Sequence, residues 1–244
     1  MKAIVLAAGY ATRLYPLTLD RPKALLEVGG KPMLERLLEQ LEPIPGLDEV
    51  YVVTNAKFAG VFGDWAAGYE SGREVRIIDD GTRDEDSRLG AIGDLDLVIR
   101  TAGIDDDVVV LAGDNLFTES LEPFAAFGLE KGAPALGIYD VGDLEAIKRY
   151  NAIELDEDGR VTFFEEKPEQ PRSTLTGIAL YFYPRAGLGL VGEYLAEGNN
   201  PDQPGRLIEW LVPRTAVYGW PVPGRWLDVG SKETLAEADR LFGG

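Results

Sequence analysis

With 42 acidic and 24 basic side chains, the 244-residue chain carries a formal net charge of −18, and it has neither cysteine nor histidine. These absences exclude a disulfide framework, a thiolate nucleophile, cysteine-ligated zinc and an imidazole general base. The charge argues against nucleic acid or an anionic membrane as partner.

Catalysis would therefore rest on carboxylates, lysine, arginine, hydroxyls and backbone donors, and carboxylate-bound magnesium is the metal that suits them. No apolar run approaches the roughly 18 residues of a membrane span, and no leader-like segment precedes the first apolar strand. The expected location is the cytoplasm.

Apolar runs alternate with segments of helical period, the pattern of an α/β protein. Ala3–Leu6 reads as a strand that empties into the small-residue loop Ala7-Ala8-Gly9-Tyr10-Ala11-Thr12-Arg13-Leu14. After Pro32 the spacing predicts a helix with Met33, Leu34, Leu37, Leu38 and Leu41 on one face. Val50–Thr54 and Glu74–Asp79 read as strands, Gly90–Arg100 as a helix, and the all-apolar Val108–Ala112 as a buried central strand. In the second half Pro134–Tyr139, Ala152–Leu155, Val161–Glu165 and Thr176–Tyr183 read as strands. Helices are expected at Leu188–Ala196 and Leu207–Leu211, then a strand near Val217–Trp220 and the segment Arg225–Asp228. A closing helix runs from Thr234 to Phe242 with Ser231 as N-cap. With no repeat and no linker, the chain reads as one domain, 1–244, in two halves, 1–133 and 134–244.

A strand that empties into a small-residue loop presents backbone N–H groups at the carboxyl edge of a sheet, where α/β proteins bind phosphate. Arg13 in that loop and Lys23 in Arg21-Pro22-Lys23 add two positive charges. Neither the dinucleotide fingerprint nor the P-loop fits, since Gly9 stands alone and no G-K-[ST] follows. Gly113-Asp114-Asn115 places an acid at the end of the central strand, as a ligand in the same crevice or as a plain turn residue. Asp228, in Trp226-Leu227-Asp228-Val229-Gly230-Ser231, reads by itself as part of an aromatic-rich turn capping the last helix. Glu166 and Lys167, in Glu165-Glu166-Lys167-Pro168, could accept from paired hydroxyls and meet phosphate, or form a solvated strand end. Thr176-Gly177-Ile178 holds a glycine that permits close approach to the backbone or marks a bulge.

In order, L-A-A-G-x-x-T-R-L, P-K-x-L-L-x-V-x-x-K-P-M, G-D-N, E-E-K-P, T-G-I-x-x-Y and W-x-D-x-G resemble the motifs of the sugar-1-phosphate nucleotidyltransferases, over nearly the whole chain. The resemblance implies a Rossmann-like three-layer α/β sandwich with a mostly parallel mixed central sheet. It also implies magnesium-assisted in-line transfer of a nucleotidyl group from an NTP to a sugar-1-phosphate, with pyrophosphate released. By the same resemblance Arg13, Lys23 and Asp114 are catalytic, and Mg²⁺ lies between Asp114 and Asp228. Leu6, Ala8, Gly9, Thr12, Arg13, Gly81 and Gly90 would bind the nucleotide, in the half 1–133. Asn151, Glu166, Lys167 and Gly177 would bind the sugar phosphate, in the half 134–244. A homo-oligomer is compatible with the family. The hexapeptide β-helix of some relatives is not expected, because the sequence stops just after the closing helix.

Three features depart from the family pattern. Ala11 stands where most relatives have a second glycine, and alanine disfavours positive φ. Asn151, in Tyr150-Asn151-Ala152, replaces another glycine, and its side chain is expected to project towards the sugar. In the base-reading region, Asp79-Asp80-Gly81-Thr82 and the charged loop Arg83–Arg88 stand where relatives usually show a glutamine. Two other functions remain open. A cytidylyltransferase acting on phosphocholine would need an aromatic pocket, whereas Glu166 with Gly177 favours a hydroxyl-rich ligand. A non-catalytic nucleotide-sugar binder would be expected to lack one of Arg13, Lys23, Asp114 and Asp228, and all four are present.

Overall fold

A computed structural model describes residues 1–243. The chain opens with β1 (Lys2–Leu6), the short pair β2 (Glu27–Val28) and β3 (Lys31–Pro32), α1 (Met33–Leu41), β4 (Glu49–Thr54) and α2 (Ala59–Gly68). It continues through β5 (Glu74–Asp79), α3 (Ala91–Ala102), β6 (Val108–Ala112), β7 (Asn115–Phe117), α4 (Glu122–Lys131) and β8 (Ala135–Asp140). Then follow α5 (Leu144–Ile147), β9 (Asn151–Leu155), β10 (Val161–Glu166), β11 (Leu175–Tyr183), α6 (Gly189–Ala196) and α7 (Pro204–Leu211). β12 (Tyr218–Pro221), β13 (Trp226–Asp228) and α8 (Lys232–Phe242) complete it.

Seven strands make the central sheet, in the order β12-β8-β11-β6-β1-β4-β5. β1 pairs in parallel with β4 and β6, and β4 with β5. β11 runs against both β6 and β8, and β12 lies parallel to β8. Only β11 is reversed, so the sheet is mixed but mostly parallel, as expected.

Alternation along the strands divides the core into two layers. Ala3, Val5, Val52 and Leu111 pack under α1, α2 and α4 with Leu34, Phe62 and Phe124. Ile4, Val53, Val110 and Tyr183 face α3, α6 and α7 with Leu95, Tyr194 and Leu207. Covered on both faces, β1 and β6 carry continuous apolar runs, and each fully buried Val or Leu contributes about 1.5–3 kcal/mol. A third cluster, with Leu14, Val28, Leu116 and Ala238, seats α8 beside the N-terminal loop. Ser231 caps α8 as predicted, accepting from Thr234 N–H in a capping box.

The apolar spacing does not reveal α2 or α4, where Phe62 alone, and Phe124, Ala125 and Gly128, are buried. α4 needs a glycine at 128, because a Cβ there would come within 2.3 Å of the Phe182 ring. β7, which begins at the Asn115 of the G-D-N stretch, is another element that the sequence pattern does not show. Among the described residues no helix is long and apolar enough to cross a membrane.

Candidate active site

The carboxyl ends of β1, β4 and β6 meet the amino end of β11 along one edge of the sheet, and the chain leaves β1 there into the small-residue loop. Backbone bonds from Ala7 N–H to Val53 O and from Gly113 N–H to Leu6 O, both 2.9 Å, pin the start of the loop. Buried Asn55 donates to Ala8 O at 2.8 Å, and Thr18 Oγ1 to Ala11 O at 2.8 Å. These bonds occupy carbonyls, so among the described residues the N–H groups of Gly9, Tyr10 and Ala11 meet no protein acceptor. That is the donor pattern an anion needs. Ala11 itself has φ 49° and ψ 42°, so the alanine adopts the left-handed geometry that a glycine would take freely.

β13 pairs with β7 so that Asp228 stands opposite Asn115, and Val229 N–H donates to Asp114 O at 3.0 Å. Strand pairing thus brings together two aspartates 114 residues apart in the chain. Lys23 Nζ lies 2.6 Å from Asp114 Oδ2, and Asn115 Nδ2 donates to Asp114 Oδ1 at 2.9 Å. Trp226 Nε1 holds Asn115 from the other side at 2.5 Å. Burial pushes the Asp114 carboxyl up, but the Lys23 ammonium and the Asn115 amide outweigh it and hold it below the usual aspartate range. Asp228 is shifted the opposite way, raised by burial and by the charge of Asp114, with Lys23 and Arg13 opposing.

Among the described residues no cluster of three or more acidic, histidine or cysteine groups forms a full metal cage. Two adjacent carboxylates, one raised by the other's charge, nevertheless suit a magnesium ion that draws its remaining ligands from water and phosphate.

A cleft of about 480 Å³ extends from this centre in two directions. Leu6, Ala8, Gly9, Arg13, Gly90, Asp114, Asn151, Glu166, Gly177 and Asp228 all line it. Lys23 lines an adjoining hollow of about 200 Å³ with Gly9, Ala11, Arg13 and Asp114. Thr12, Gly81 and Lys167 stand outside both walls. Lys167 is exposed, with φ 51°, and its N–H donates to Tyr150 O at 2.8 Å.

In the arm beside β11, burial raises the Glu166 carboxyl, and its Oε2 is buried with no hydrogen-bond partner. Asn151, whose side chain is expected to project towards the sugar, lines the cleft with its amide held by the protein. Its Nδ2 donates to Gly177 O at 2.9 Å, and its Oδ1 accepts from Gly177 N–H at 2.6 Å and from Thr176 Oγ1 at 3.2 Å. The amide therefore bridges β9 to the bulged start of β11, and both ends are occupied. In the other arm, Gly90 precedes α3, and Ile92 N–H donates to Pro201 O at 2.8 Å. Arg88 and Asp202, 3.3 Å apart, both face this cleft.

No motif assigns Arg88, Asp94, Asp202 or Gln203, all on the wall, whereas Tyr181, the last residue of T-G-I-x-x-Y, lines it too. Arg88 lies in the charged loop Arg83–Arg88, and Asp94, Asp202 and Gln203 leave no signal of their own. A wider hollow of about 910 Å³, walled by Glu35, Glu39, Asp64 and Trp65, holds neither metal-candidate aspartate nor the phosphate loop.

A family model described as nucleotidyl transferase matches residues 2–242. The chain belongs to the nucleotidyl transferase family. The chain is 26% identical over 242 residues to the bifunctional protein GlmU of Methanocaldococcus jannaschii, covering 99% of the chain and 54% of that relative. It is 32% identical over 183 residues to the UTP–glucose-1-phosphate uridylyltransferase AglF of Haloferax volcanii, covering 75% of the chain and 72% of the relative. A Bacillus anthracis protein assigned as a glucose-1-phosphate thymidylyltransferase, solved in complex with sucrose, superposes with a TM-score of 0.85 at 24% identity. That match covers 100% of this chain and 95% of the other and shows the same fold. The chain thus spans about half the length of the GlmU relative.

Proposed function

We propose that this nucleotidyl transferase moves a nucleotidyl group from a nucleoside triphosphate to a sugar-1-phosphate and releases pyrophosphate. The observation that carries the reading is the junction of Arg13, Lys23, Asp114 and Asp228 at the phosphate loop, with Glu166 in the adjoining arm. Residues 1–133 supply the nucleotide side, with the nucleoside over Gly9 and Gly90, and 134–244 the acceptor side, in one catalytic unit. An acceptor phosphate oxygen attacks the α-phosphorus; a P–O bond forms there as the bond to the departing pyrophosphate oxygen breaks. No nucleophilic side chain is required.

The Arg13 fork suits the β- and γ-phosphates, and Lys23 suits the α-phosphate. Glu166 accepts from acceptor hydroxyls and sets the acceptor in line. Magnesium, held by Asp114 and Asp228, would neutralise charge growing on the α-phosphate. The cytoplasm, where both substrates are supplied, is the proposed location, and the net charge of −18 disfavours nucleic acid as a partner.

One observation favours a second acceptor. Tyr150 and Trp226 share the cleft wall with ring centroids 5.9 Å apart, a surface on which the quaternary ammonium of phosphocholine could rest.

The test is pyrophosphate release with Mg²⁺ across five nucleoside triphosphates and a set of hexose-1-phosphates plus phosphocholine. One productive sugar-1-phosphate pair is expected, and Asp114→Ala should abolish its turnover while the circular dichroism spectrum is kept. Turnover undiminished in that variant would refute the metal assignment, and turnover with phosphocholine alone would replace the acceptor.

A further inference from the structure

Gly90, Ala91 and Asp94 form the wall of the cleft at the start of α3, and without a side chain at position 90 a flat ring can lie against the backbone. Asp94 is only 6% exposed. Its Oδ1 is buried without a partner, and no N–H or O–H of the described residues donates to its carboxyl. Behind it stands Asp80, whose Oδ1 accepts from both Thr82 N–H and Thr82 Oγ1 at 2.7 Å. The other oxygen of Asp80, Oδ2, is likewise buried without a donor. Among the described residues, no lysine or arginine forms an ion pair with either aspartate. A desolvated carboxyl in contact with a second, half-buried carboxyl resists ionising near neutral pH. Burial and the neighbouring Asp80 push the Asp94 carboxyl up to about 8, so Asp94 retains its proton at neutral pH. That proton lies between the buried oxygens of Asp94 and Asp80, and the second Asp94 oxygen, Oδ2, is left as an unpaired acceptor on the cleft wall.

We propose that Asp94 reads the nucleotide base, and that this chain takes a nucleoside triphosphate whose base carries an exocyclic amino group in preference to uracil or thymine. The proposal rests on the nucleotidyl-transfer reading and gives that site its substrate class. An amino group of cytosine, adenine or guanine supplies the N–H donor that the cleft-facing Asp94 oxygen lacks. Uracil and thymine present one N–H between two carbonyls, whose oxygens would face the oxygen pair of Asp80 and Asp94. A buried polar group left unpaired by the wrong ligand is a strong source of discrimination.

The experiment measures dissociation constants of CTP, GTP, ATP, UTP and dTTP calorimetrically, with Mg²⁺ and without acceptor, at pH 7. At least one amino-bearing nucleotide should bind about tenfold or more tightly than both UTP and dTTP. Asp94→Asn places an amide N–H where only acceptors stood, and should bring that ratio to within about threefold. The wild-type ratio tests the proposal even if the variant fails to fold; Asp94→Ser, checked by its melting temperature, offers a second replacement. UTP or dTTP binding as tightly as the best amino-bearing nucleotide overturns the base reading and leaves nucleotidyl transfer standing. An unchanged ratio in folded Asp94→Asn overturns the role of Asp94. Failure of all five to bind the folded protein overturns both.

Discussion

A methyl group added at Gly205 tests Glu166 without altering Glu166 itself. Gly205 is the second residue of α7, and a Cβ built there would lie 2.3 Å from Glu166 Oε2 and 3.2 Å from Phe164 Cζ. Ordinary contact begins at 3.4 Å, so the carboxylate must retreat by about 1 Å while the phenyl ring yields a few tenths. The fold should tolerate this, because the displaced atom ends a flexible side chain and alanine favours the helix over glycine by up to about 1 kcal/mol. The melting temperature should therefore move by no more than about 4 °C. Catalysis is less forgiving, since a displacement of about 1 Å in a positioning group can cost on the order of 10²-fold. With acceptor and nucleoside triphosphate varied independently in the pyrophosphate-release assay, Gly205→Ala should lower kcat/KM for the acceptor by about that factor. Nucleotide affinity should stay unchanged. An acceptor kcat/KM at the wild-type level, in a folded variant, would refute the placement of Glu166 on the acceptor.

The Asp80–Asp94 pair should tie stability to pH. Folded Asp94 holds its proton up to about pH 8, whereas the unfolded chain releases it near its ordinary value of 3.8. Between those values the folded state binds the extra proton, so stability falls as pH rises, by about 1.4 kcal/mol per unit at most. The contribution is full below pH 3.8 and lost as pH rises through 8. Melting curves from pH 5 to 9 should accordingly be flatter for Asp94→Asn than for wild type, and identical slopes would deny the raised value. At Ala11, left-handed geometry costs an alanine about 1–2 kcal/mol, part of which glycine returns as unfolded-state entropy. Ala11→Gly should therefore gain up to about 1 kcal/mol in urea unfolding, and a loss would contradict the assigned backbone.

The strands were the most legible elements, because burial on both faces leaves an unmistakable apolar run in Ala3–Leu6 and Val108–Ala112. α1 was equally plain, with Met33, Leu34, Leu37, Leu38 and Leu41 all buried. α2 and α4 were not, since a helix that buries one phenylalanine or several small residues has little periodicity to display. In the site, short motifs pointed to Arg13, Lys23, Asp114, Glu166 and Asp228, and the structure gathers them at one sheet edge. Motifs could not show that Asn151 is occupied by Gly177, because that depends on a partner 26 residues away. Asp94 was hidden for a similar reason: its neighbour Asp80 belongs to another element, and only burial makes the pair unusual.

The reversed strand β11 also bears on how this chain can be divided. It sits between β8 and β6, with partners in the second half on one side and in the first half on the other. A cut between residues 133 and 134 leaves every strand unbroken yet separates β6 from β11 along their shared ladder. Each fragment would then expose an apolar edge of unpaired amides and carbonyls, ready to pair with any strand that presents itself. The fragments should recombine when mixed and aggregate when kept apart. An inserted sequence would be accommodated better at the Asp156–Gly159 turn, which lies on the β9–β10 hairpin away from that ladder.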